Sequence, residues 1–134
     1  MDTINTKEVK TVCDTVMGKM NTLTFDHGSI KAQLTKDYNT MNLDEARDLR
    51  TWLESIIRET NTLKAIISPL YARYSVRFVG NVADDPMAYY AILGAFKEIE
   101  RFGVATGSTL SRIKRKIDSL LRMEAEVNKV KEGK

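Results

Sequence analysis

Between Leu43 and Leu70 the apolar residues return at steps of three and four. Leu49, Trp52, Leu53, Ile56, Ile57, Thr60, Leu63, Ile66, Ile67 and Leu70 form one broad face. No strand can present such a set on one side, because strand side chains alternate with a period of two. The stretch from Leu43 to about Ile67 is therefore expected to be a long helix. Asn42 and Glu45 stand at its start with the spacing of a capping box, in which each side chain satisfies an orphan backbone donor. Ser68-Pro69 is expected to end or kink the helix, since proline has no amide donor and restricts the residue before it.

The same period recurs elsewhere. Val9, Val12, Val16, Met20 and Leu23 make one helical face behind an Asn5/Glu8 capping pair. Asp26-His27-Gly28-Ser29 reads as a loop, with Ser29 capping a second helix whose stripe is Ile30, Leu34, Tyr38 and Met41. Tyr71 to Val79 fits either a helical face or an alternating strand. A strand there would have no partner segment, so a helix fraying into the Gly80-Asn81 turn is the preferred reading. Asp84-Asp85-Pro86 is a helix start, followed by Tyr89, Ile92, Leu93, Phe96 and Ile99. Gly103 reads as a helix stop, and Ser108 as the cap of a last helix carrying Leu110, Ile113, Ile117, Leu120 and Val127. That seam repeats every seven residues and is broken by Glu124.

The expected fold is all-α: one domain over residues 1–134, a compact antiparallel bundle of about five helices. A narrow three-four seam also serves coiled-coil packing between subunits. At 134 residues such a chain buries enough surface to need no metal or disulfide. Cys13 is the single cysteine, which excludes an intrachain disulfide and fits a reducing compartment. The first residues lack the pattern of a signal peptide, and no apolar run approaches the ~20 residues of a membrane span. A cytoplasmic protein without membrane attachment is the expectation.

Catalytic chemistry finds few candidates. His27 is the single histidine and Cys13 the single thiol, so a zinc site lacks ligands and a Cys–His pair lacks any sign of juxtaposition. Carboxylates such as Asp44, Glu45 and Asp48 are accounted for by the dipole of a first helical turn. Glu54–Arg58 and Lys97–Arg101 place charges one turn apart on a solvated surface. Gly103-Val104-Ala105-Thr106-Gly107-Ser108-Thr109 is glycine-rich, but it has three residues between its glycines and no lysine, so it is not a phosphate loop. A modest anion site at the Ser108 helix start is the most it offers. No catalytic residue, cofactor or metal is expected.

Charge is concentrated at one end. From Ser108 onward there are eight Lys/Arg against four acids, although the whole chain carries only +3. On the last helix, expected over about 108–131, Arg112, Arg115, Arg122 and Lys129 form a ridge away from the seam, flanked by Lys114 and Lys116. Arg73 and Arg77 are interleaved with Tyr71, Tyr74 and Phe78. Both arrangements suit nucleic acid, the first through phosphates and the second through stacking. Met17, Ile57, Tyr89 and Leu121 lie just outside their seams and are the candidates for an apolar protein interface. The leading functional reading is a non-catalytic helical interaction or regulatory protein that binds another macromolecule or itself. Small adaptors, assembly factors and viral or mobile-element regulators offer an analogy at the level of fold class. The alternative is a nucleic-acid-binding accessory protein using the basic last helix.

Overall fold

The computed structural model describes the backbone of residues 6–79 and 86–133, and the side chains of 7–73 and 88–133. Three helices account for it: α1 (Thr6–Asp37), α2 (Leu43–Val79) and α3 (Pro86–Glu132). No strand occurs among the described residues. The chain is all-α as expected, but the described residues form three helices where about five were read. The Asn5 cap, the Gly80-Asn81 turn and the Asp84-Asp85 cap lie outside the described residues.

The buried residues of each helix follow a strict alternation of four and three. In α1 they are Val9, Cys13, Val16, Met20, Leu23, His27, Ile30 and Leu34, and Met41 continues the frame into the connection. In α2 they are Ala46, Leu49, Leu53, Ile56, Thr60, Leu63 and Ile67. In α3 they are Ala88, Ile92, Ala95, Ile99, Phe102, Thr106, Thr109, Ile113 and Lys116, with Ile117 beside them. A mean period of 3.5 residues keeps one seam of each helix facing its neighbours, which is the packing logic of a coiled coil. The buried apolar residues form one contiguous cluster.

Continuity of these seams explains why the expected breaks are absent. Asp26-His27-Gly28-Ser29 is not a loop: it lies inside α1, where His27 and Ile30 are buried. An exposed helical glycine costs roughly 1 kcal/mol, less than is gained by keeping both seam positions in register. Ser29 does not cap a helix; its hydroxyl donates back to the Phe25 carbonyl at 3.3 Å. Gly103 is not a stop and Ser108 is not a cap, since both sit within α3. Thr106, one residue short of Gly107, is fully buried there and donates to the Phe102 carbonyl at 3.0 Å. The backbone amides of this segment are therefore spent inside a helix, and the anion site considered at Ser108 does not exist.

Pro69 lies within α2, which continues to Val79. Proline inside a helix costs about 3 kcal/mol, but the residues around it are anchored. Ile67 is fully buried, Leu70 and Tyr71 pack on the core, and the Tyr71 ring stacks on Phe96 with centroids 4.3 Å apart.

The start of α2 agrees with the sequence. The Glu45 amide donates to Asn42 Oδ1 at 2.9 Å, and the Asn42 amide donates to Glu45 Oε1 at 3.4 Å. Before it, the Thr40 and Met41 amides both bond to the Asp37 carbonyl and close α1. Surface charges pair differently from the expected spacing. Glu54 meets Arg50 at 3.6 Å, and Arg101 meets Glu98 at 3.1 Å; exposed pairs of this kind stabilise little.

Cross-helix contacts fix the directions. Lys64 reaches Glu100 at 3.7 Å and Tyr71 stacks on Phe96, so α2 runs antiparallel to α3. His27 meets Thr109 and Tyr38 lies under Lys116, so α1 runs parallel to α3.

Candidate interaction site on the third helix

The three helices are unequal, with 32, 37 and 47 residues. At 1.5 Å per residue α3 is about 70 Å long against about 48 Å for α1. The contacts at Lys116 and Glu100 place the α1–α2 connection at one end of the bundle, with Leu43 roughly level with Arg122 of α3. Beyond that level nothing within the described residues packs on α3. Every residue from Leu121 to Gly133 is exposed.

The seam does not stop with the bundle. From Ile113 and Lys116 the same alternation continues through Leu120, Met123, Val127 and Val130. Leu120 still packs on the core, whereas Met123, Val127 and Val130 are 60%, 53% and 69% exposed. Together with Glu126 and Lys131 they line a shallow open groove. The sequence reading places Ile113, Leu120 and Val127 on this seam but misses Met123 and Val130, because Thr106, Thr109 and Lys116 put polar side chains on the intervening seam positions. Ile92, Ile99, Thr106, Ile113, Leu120 and Val127 recur every seven residues and bypass Glu124 altogether.

Those polar seam residues are satisfied within the bundle. The Lys116 ammonium sits 4.8 Å from the centre of the Tyr38 ring, a cation–π contact at a site only 8% exposed. Lys116 therefore belongs to the interior and not to the flank of a basic ridge. His27 Nε2 lies 2.8 Å from Thr109 Oγ1, and its ring meets Phe102 edge-on. Burial, and secondarily the Lys31 ammonium, hold the His27 pKa below its ordinary 6.5. The imidazole is neutral and built into the core, not solvated in a loop as the sequence reading has it.

The interface candidates divide. Met17, Ile57 and Tyr89 are half-buried and pack against the core, while Leu121 is 40% exposed at the base of the α3 extension. Among the basic candidates, Arg115, Arg122 and Lys129 are exposed and Arg112 is half-buried. Arg73 is exposed on α2, far down the bundle from them; the Arg77 side chain lies outside the described residues. Arg73 is not brought together with the α3 ridge.

Chemistry on the chain's other special groups is constrained by placement. Cys13 and His27 share α1, 14 positions apart, which separates them by about 21 Å along the axis. Cys13 is buried, and burial with the nearby Asp14 charge raises its pKa above 9.0. Among the described residues no group of three His, Cys, Asp or Glu side chains converges as a metal site. No helix among them is long and apolar enough to cross a membrane. No family model matches the chain, and neither a curated protein nor a solved structure matches it.

Proposed function

We propose that this chain is a non-catalytic interaction protein that docks onto another macromolecule through the exposed end of α3. The observation that supports this reading is the uncovered continuation of a core seam over Met123, Val127 and Val130. Contiguous exposed apolar side chains in register with a packed interface are a feature of binding surfaces. The buried, protonated Cys13 and the neutral, core-bound His27 argue against nucleophilic catalysis. A reducing compartment such as the cytosol suits the free thiol.

The test is a photo-crosslinking side chain placed at Val127, with Ser111 as an exposed control position, in cells producing the protein. Adducts at Val127 and none at Ser111 are expected. Equal labelling at both, or none at either, would sink the reading.

The second reading is nucleic-acid binding by Arg112, Arg115, Arg122 and Lys129. Its support is that Arg115, Arg122 and Lys129 are all exposed along one helix. Oligonucleotide binding that weakens steeply with salt and is lost in the Arg115→Glu/Arg122→Glu variant would establish it. Absence of binding at low salt would remove it.

A further inference from the structure

We propose that the occupant of the α3 extension is the same extension of a second copy of this chain, running antiparallel and joining two bundles end to end. The inference rests on the interaction reading above and names its partner.

Sterics set the direction. On the bundle side of Leu120 the seam of α3 is covered by α1, α2 and the connection between them. A parallel partner seated on Met123, Val127 and Val130 would continue into the space those elements fill. An antiparallel partner carries its own bundle away from those elements. The arrangement is isologous and closes as a two-fold dimer.

Heptad geometry and charge then select the register. Leu120 and Val127 occupy the first position of the repeat and Met123 and Val130 the fourth. In antiparallel pairing a first position faces a fourth. One register puts Met123 opposite the second copy's Val127. It also brings Glu124 toward Glu124 and Glu126 toward Glu126 across the two-fold, setting like charges together. The next register out puts Val127 opposite Val130 in two symmetry-related layers. It sets Glu124 of each copy beside Lys131 of the other. Opposite charges flanking a short seam favour this second register. Lys131 lines the exposed groove, and Glu124 stands on the same flank one heptad earlier.

The contact is short, below the roughly 1,000 Å² of a stable interface, so the association is weak and depends on protein concentration. Sedimentation and small-angle scattering up to millimolar protein test it. The mass should rise from 15.2 kDa toward twice that value. The maximum dimension should rise from about 70 Å to about 130 Å, the span of two end-to-end α3 helices. The Val127→Asp/Val130→Asp variant should remain monomeric with an unchanged helical circular-dichroism spectrum. Glu124→Lys and Lys131→Glu should each weaken the dimer, and the double reversal should restore it. A monomer at every concentration, a dimer no longer than the monomer, or charge reversals that do not compensate would overturn the proposal. A monomer that still yields Val127 adducts with another macromolecule would leave the interaction reading standing and remove only the second copy.

Discussion

His27 Nε2 and Thr109 Oγ1 lie 2.8 Å apart across the α1–α3 interface, although 82 residues separate them in the chain. The Thr109 hydroxyl also points to the Ala105 carbonyl at 3.2 Å. A hydroxyl has one proton: when it is given to Ala105 the imidazole donates through Nε2–H, and when it is given to His27 the Nε2 accepts. In either case removing the hydroxyl leaves the buried Nε2 without that partner. Thr109→Val should lower stability by about 1–3 kcal/mol, read as a shift in the urea midpoint. No shift would mean that the pair is geometrically close but energetically idle.

The same histidine makes stability depend on pH. Its pKa is lowered in the folded chain, by burial first and by Lys31 second. Above about 6.5 the imidazole is neutral in both folded and unfolded states, and its proton-linked contribution is constant. Below that value the unfolded chain takes up the proton first, so stability falls as pH drops toward the lowered folded pKa. Denaturant midpoints taken between about pH 7.5 and 5 should decline in the wild type, and the decline should be smaller in His27→Leu. A midpoint that rises on acidification would contradict the buried neutral imidazole.

Ile57 and Leu121 both stand just outside their seams, yet they should respond oppositely to a charge. Ile57 is half-buried against the core. Ile57→Asp should cost about 2 kcal/mol or more, because the carboxylate would be partly desolvated without a partner. Leu121 is exposed beyond the end of the bundle, and Leu121→Asp should change stability by no more than about 0.5 kcal/mol. Thermal melts of the two variants decide it, and equal losses would place Leu121 in the core.

Gly103 lies within α3, and a Cβ added there meets no atom within 4 Å. A helix-stopping glycine would be harmed by a side chain, since the left-handed conformation disfavours one. Here Gly103→Ala should instead stabilise by about 0.5–1 kcal/mol through reduced freedom of the unfolded chain. A lowered melting temperature would indicate a break in α3 at this point.

Cys13 is 2% exposed with a raised pKa. Its reaction with an aromatic disulfide reagent at neutral pH should be slow in the folded protein and become fast only with unfolding. Rapid labelling under native conditions would show that α1 opens locally near its start.

The long helix from Leu43 and its Asn42/Glu45 cap were legible because both are local, set by side chains three or four residues apart. So were the all-α class and the three-four spacing of the seams, since the period of the apolar residues determines which backbone can bury them. Helix number was not legible. Gly28, Pro69 and Gly103 carry local penalties of about 1–3 kcal/mol that read as boundaries, and burial of Ile30, Ile67, Phe102 and Thr106 by other helices overrides them. The register of α3 was hidden for a related reason: Thr106, Thr109 and Lys116 look like surface residues until His27 and Tyr38 arrive from α1 to satisfy Thr109 and Lys116. The sequence by itself determined that each segment would be an amphipathic helix. Only the tertiary structure decided where coverage ends, because whether Met123, Val127 and Val130 are core or surface depends on how far α1 and α2 extend beside them.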